Sequence, residues 1–292
     1  MYAPLLALSA AVLIGAGEFS AHFGLRHVRP LSGVFLGTCF QFLTLLTVVA
    51  LRGTWEVIDW RGPALFFLVG VLHPGAYLLA LLSAIDRLGP ARAITARATS
   101  PFFGVALAVA FLAERPSLPV YAGLVLIAGG VMTLAGGGGR GRARRGDWLF
   151  AFLAAFFSGL APAVTKVALG LGTDPVLGAL FAMAGGLISI AAAHSVIEPR
   201  SGGKVWLRAI PARASLAFLP MGVLTGGAYI AWFAALSWGT VSVVLPLVQT
   251  SPLVAILLSR VFLQREERVD VRLILSALSI VTGAVLVALG RA

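Results

Sequence analysis

The sequence predicts an all-α integral membrane protein: ten transmembrane helices in two inverted five-helix repeats around a central cavity. Three observations predict it. Of the 292 residues, 59% are hydrophobic and 11% charged; a soluble domain carries roughly 25% charge, so this surface must face lipid. GVLHPGAY at 70–77 returns as GVLTGGAY at 222–229, half a chain later. Successive connections are alternately rich and poor in Arg and Lys, as membrane topology requires.

A bilayer-crossing helix needs about 20 mainly apolar residues, and Gly, Pro and charge clusters punctuate such runs. They fall at 3–22, 31–51, 62–83, 92–112, 117–136, 147–169, 175–194, 214–236, 240–262 and 271–290. The runs are continuously apolar rather than alternating, which favours helices over a barrel. The first has no basic segment before it and reads as a retained helix, not a signal peptide. The third and eighth carry the two copies of the GVL motif, and the fourth and ninth each contain Thr-Ser-Pro. GGGGRGRARRG at 136–146 is basic and Gly-rich, a solvated joint. The expected organisation is a first repeat over 1–139, a linker over 140–146 and a second repeat over 147–292.

The duplication extends beyond one motif. TSPFFGVALAVAFL at 99–112 aligns without gaps to TSPLVAILLSRVFL at 250–263, and Gly15 and His22 match Gly159 and Lys166. Five spans per unit is an odd number, so the second copy enters the membrane from the opposite side. Charge tests this independently. With span-edge residues included, the connections after spans one, three, five, seven and nine carry 15 of the 22 basic residues. The termini and the other connections carry 4, and Arg97, Lys166 and Arg260 lie within spans. The positive-inside rule then places both termini on the non-cytoplasmic side. Of the 22 basic residues 20 are Arg, and Ala and Gly abound, pointing to a GC-rich bacterial genome and hence a bacterial inner membrane.

Inverted repeats allow two similar units to exchange conformations, and many secondary transporters bind substrate at the repeat interface near the midplane. The expected partners are therefore the lipid bilayer and a small-molecule substrate, with the protein a monomer or weak dimer. The net charge of +11 lies between spans, so nucleic acid is not a partner. No cofactor or metal is expected: Cys39 is the single cysteine, and there is no GxxxxGK[ST] loop for direct ATP use. The contrasting class, an intramembrane enzyme, lacks paired DxxD motifs for prenyl transfer and a GxS motif for proteolysis.

Within the repeated motif, His73 and Tyr77 are four residues apart and share a helix face; the second copy puts Thr225 and Tyr229 in the same places, with Trp232 three residues further along. Facing each other, these side chains would line one cavity suited to an amphipathic solute; the alternative is close helix packing with interfacial tyrosines. Pro74 would loosen its helix. Pro101 and Pro252 each follow Thr-Ser; they would free backbone carbonyls that the Thr or the Ser (Ser100, Ser251) can partly satisfy or a ligand can meet, or would only kink their helices. Gln249 lies one turn before Pro252 and can bond ligand or helix. Glu18 is the one acid inside a span, where charge costs upward of ~2.5 kcal/mol, so a role or a partner is expected. Lys166 and Arg97 read as interfacial, snorkelling residues with a minor claim on a substrate carboxylate.

The stretch TSPFFGVALAVAFLAERPSLPVYAGLVLIAGGVMTL at 99–134 resembles the drug/metabolite transporter superfamily, specifically its ten-helix members with two EamA-type repeats. The resemblance is carried by Pro101, the Phe111-Leu112-x-Glu114 corner and Gly129-Gly130, and in the second copy by Pro252, Phe262, Leu263, Glu266 and Gly283. The second corner is one residue longer, and His22 stands where the family often has a basic residue, while Lys166 fits. The size and organisation look similar to YddG-type amino-acid exporters, which implies export of amino acids, aromatic ones included, or of related small metabolites. Small four-helix multidrug members use a first-helix Glu as proton and cation site, which implies proton-coupled efflux of cationic drugs through Glu18 as the alternative. Many members have cytoplasmic termini; the charge pattern here argues the opposite.

Overall fold

The computed structural model describes residues 2–26, 28–55, 59–135, 146–197, 215–263 and 271–290. The linker at 140–145 and the second-corner Glu266 lie outside them. All ten expected spans are helices: α1 (Tyr2–Gly24), α2 (Pro30–Arg52), α3 (Arg61–Gly70, Val71–Ala76 and Tyr77–Leu88), α4 (Pro90–Arg97 and Ser100–Phe111), α5 (Leu118–Ala135), α6 (Asp147–Gly170), α7 (Pro175–Ile197), α8 (Leu219–Trp238), α9 (Val241–Val248 and Ser251–Leu263) and α10 (Val271–Leu289). Eight are long and apolar enough to cross a membrane, and the apolar parts of α5 and α10 are shorter. Large apolar side chains such as Val125, Leu149, Leu278 and Val281 remain exposed, as expected where lipid is the solvent.

Packing repeats with the sequence. Helix α1 lies on α8 and the second piece of α9; its counterpart α6 lies on α3 and the second piece of α4. Likewise α2 packs on α8 as α7 packs on α3, while α2 pairs with α7 and α5 with α10. The symmetry extends to atoms. A Cβ on Gly15 would sit 2.6 Å from the Ser251 carbonyl oxygen, and one on Gly159 would sit 2.6 Å from that of Ser100. Both close approaches require glycine.

The register along α5 and α10 fixes the relative sense of the copies. Gly130 meets Ser276 and Ile280, whereas Gly123 meets Gly283 and Val287. Numbers rise on one helix as they fall on the other, so these equivalent helices are antiparallel and the repeats are inverted.

Three spans are broken, each for a local reason. Pro74 has no N–H to give the helix and disfavours helical geometry at the residue before it. His73 accordingly adopts φ −147°, ψ 111° inside a π-helical turn, and the His73–Pro74 peptide is cis. In α4 and α9 the break falls before Ser-Pro, so Pro101 and Pro252 start a new helical piece where a missing N–H costs nothing. The Thr of each Thr-Ser-Pro turns its hydroxyl back onto the end of the preceding piece: Thr99 Oγ1 donates to Ala96 O at 2.6 Å and Thr250 Oγ1 to Leu247 O at 2.8 Å.

Candidate substrate cavity

A cavity of about 440 Å³ lies between the repeats, within the size range of small-molecule sites. It begins at the mid-span break of α9, where Val248, Gln249, Ser251 and Pro252 line it. From there it runs along the C-terminal ends of α1 and α3 and the N-terminal ends of α2, α4 and α8, reaching Ile85 and Ile94. Because successive helices alternate in direction, those ends share one face of the bundle. That face carries the connections after spans one, three and seven.

The two GVL motifs meet at its wall. The His73 and Tyr77 rings stack at 4.5 Å, Tyr229 and Trp232 meet edge-on at 5.4 Å, and His73 Nδ1 lies 3.0 Å from the Tyr229 hydroxyl. The π-helical turn therefore keeps His73 and Tyr77 together despite the loss of regular helix. All four residues line the cavity, as do Pro74, Pro252, Ser251, Gln249 and Glu18. Ser100 and Pro101 do not: both are buried, and Ser100 Oγ accepts a 2.5 Å hydrogen bond from Gln249 Nε2. That bond ties the break in α4 to the break in α9. The indole N–H of Trp232 is buried and has no hydrogen-bond partner among the described residues.

Arg97 corrects the sequence reading most sharply. It is not interfacial but lines the cavity and donates to the Tyr77 hydroxyl at 2.8 Å. The signal was present: Arg97 stands two residues before Thr99-Ser100-Pro101, and a charge beside a mid-span break has no interface to reach. Gln41 was also missed; it is buried, lines the cavity and donates to Thr225 O at 3.4 Å.

The family model for EamA-like transporters matches residues 1–136 and again 147–289. The chain belongs to the EamA-like transporter family. A crystal structure of a protein 21% identical, one of 29 matching chains of known structure, superposes with a TM-score of 0.80, over 98% of this chain and 96% of that one. That likeness establishes the ten-helix fold. Among curated proteins none matches.

In this EamA-like transporter two charged side chains from other helices hold the α8–α9 turn, at the end of the bundle opposite the cavity. Glu114, of the Phe-Leu-x-Glu corner, is buried and reaches from the first repeat to the N-terminus of α9. Its carboxylate accepts from the Val241 N–H at 2.7 Å, the Ser242 N–H at 2.9 Å and the Ser242 hydroxyl at 2.5 Å. Lys166, rather than snorkelling, donates from α6 to Leu236 O at 2.6 Å and Gly239 O at 2.7 Å, covering the last carbonyls of α8. Each charge complements the dipole of the helix end it touches. The α8–α9 turn is thus gripped at both ends.

Proposed function

We propose that this chain is a secondary transporter that works by alternating access and exports amino acids, aromatic ones included, in the manner of YddG-type exporters. The observation that carries this reading is the aromatic wall made by the two inverted GVL motifs around a cavity at the repeat interface. Stacked rings supply area for an amphipathic cargo, and Gln41, Gln249 and the tyrosine hydroxyls supply hydrogen bonds to orient it. The cavity reaches toward the face whose connections are rich in Arg. By the positive-inside rule that face is cytoplasmic, which loads cargo from the cell interior and puts both termini outside, in a bacterial inner membrane. Transport to the other side requires that face to close and the Glu114–Lys166 end to open. Because the repeats are inverted, each can adopt the conformation the other holds.

Glu18 lies in the cavity, which favours a second reading, proton-coupled efflux of cationic drugs. Arg97 in the same cavity opposes a purely cationic cargo, so amino-acid export is the better supported.

The test is flux in proteoliposomes. Tyr77→Ala and Tyr229→Ala should each lower amino-acid flux about tenfold, the loss of one stacked, hydrogen-bonded ring, with unchanged yield of folded protein. Undiminished flux in both variants removes the cavity assignment. A Glu18→Gln protein that transports normally and ignores a pH gradient removes coupling through Glu18.

A further inference from the structure

Two opposite charges sit in the cavity without making an ion pair. Among the described residues Arg97 makes one hydrogen bond, to the Tyr77 hydroxyl, which leaves other guanidinium N–H groups uncommitted. Glu18, on α1, lines the same cavity with an exposed side chain and has no hydrogen bond or ion pair among the described residues. Both line the one cavity, and no salt bridge joins them among the described residues. Both are side chains that a span excludes unless they are used.

The pair is also specific to one half of the molecule. At the offset of 151 that relates the Thr-Ser-Pro segments, Arg97 corresponds to Val248, and at the first-helix offset of 144, Glu18 corresponds to Pro162. The duplicated scaffold does not need these charges. The Tyr77 bond steadies the guanidinium beside the aromatic wall, so that a group bound to Arg97 would keep its remainder against the rings of His73, Tyr77 and Trp232.

We infer that Arg97 and Glu18 form a bipolar subsite for the α-carboxylate and α-ammonium of the cargo, which makes the cavity selective for aromatic zwitterions. The inference rests on the transport reading above. Arg97 suits a carboxylate, which it can grip with two parallel N–H bonds, and the Glu18 carboxylate suits an ammonium. A zwitterion adds no net charge to a low-dielectric cavity and leaves neither side chain facing a like charge. A solute with only an amine sets its charge beside Arg97; one with only a carboxylate sets its charge beside Glu18. Each single-charge solute therefore forfeits one interaction and meets one repulsion.

The experiment uses the purified full chain in proteoliposomes with three probes of one ring: phenylalanine, phenethylamine and 3-phenylpropionate. The wild-type protein should take up phenylalanine with a kcat/KM about tenfold to a hundredfold above either single-charge probe, the range set by one charge-assisted hydrogen-bonded contact. Arg97→Gln should collapse the preference for phenylalanine over phenethylamine toward one, chiefly through KM. Glu18→Gln should do the same for phenylalanine over 3-phenylpropionate. Arg97→Lys, which keeps charge but loses the fork, should fall between. A wild-type protein that moves all three probes alike overturns the bipolar subsite and leaves the transport reading intact. So do Gln variants that lower all three alike. If none of the three moves, aromatic amino-acid transport falls and this inference falls with it. The wild-type series needs no variant, so it decides the matter even if Arg97→Gln does not fold.

Discussion

Gly70 has no Cβ because the backbone of α7 runs where one would stand, against the Ala182 carbonyl. Its repeat partner Gly222 meets the α2 backbone at Phe40 in the same way. The first glycine of GVLxxGAY thus sets a crossing between the two halves in each copy. Gly129, by contrast, has nothing within 4 Å of where a Cβ would be. Gly70→Ala should therefore cost about 1–3 kcal/mol through forced separation of α3 and α7, while Gly129→Ala should be neutral or stabilising by up to about 1 kcal/mol. Thermal unfolding in detergent distinguishes them; equal melting temperatures would refute the crossing. At the same scale the threonines of Thr-Ser-Pro were legible, since the end of a helical piece leaves carbonyls that need a donor and Thr99 and Thr250 supply one. The serines were not: whether Ser100 or Ser251 reaches the cavity depends on rotation of a helical piece, which no local rule fixes.

The α8–α9 turn shows how elements from different halves complete one another. Helix ends leave unsatisfied N–H and C=O groups; here a carboxylate from the α4–α5 corner and an ammonium from α6 serve them. Removing a buried acceptor leaves its donors unsatisfied at about 1–3 kcal/mol each, so Glu114→Ala should lower the melting temperature more than Lys166→Met, whose ammonium is only partly buried. Glu114→Gln, which keeps an acceptor but loses the charge, should lie between Glu114→Ala and the native protein. If Glu114→Ala melts with the native protein, the carboxylate does not hold this turn. The Phe-Leu-x-Glu pattern was visible in the sequence as a recurring corner. Its target was not, because Glu114 and Ser242 are 128 residues apart.

At the scale of the molecule, an inverted pair of five-helix units gives an even number of spans, so both ends belong on one face. Reporters fused at the N- and C-termini should both read as non-cytoplasmic. Ends found on opposite faces would break the even count and the inversion together. The inversion itself is legible in the contacts, since α5 and α10 meet antiparallel while α3 and α7 run parallel, Gly62 meeting Thr173 and Gly75 meeting Ser189. The cavity is where the symmetry is abandoned: His73 faces Thr225 in the alignment, Glu18 faces Pro162 and Arg97 faces Val248.

The sequence by itself determined the solvent, the ten spans, the duplication and its inversion. These depend on composition, run length and parity, which are properties of the chain read in order. Membership of the aromatic wall was legible too, because His73, Tyr77 and Tyr229 lie on two repeated motifs that symmetry must bring together, and Trp232 follows Tyr229 by three residues. Only the tertiary structure decided that Arg97 turns inward beside Tyr77, that Ser100 is spent on Gln249, and that Glu114 and Lys166 hold the α8–α9 turn. The reason is physical. Where a polar side chain points inside a membrane depends on which distant helix offers it a partner, and that partner is fixed by packing between halves.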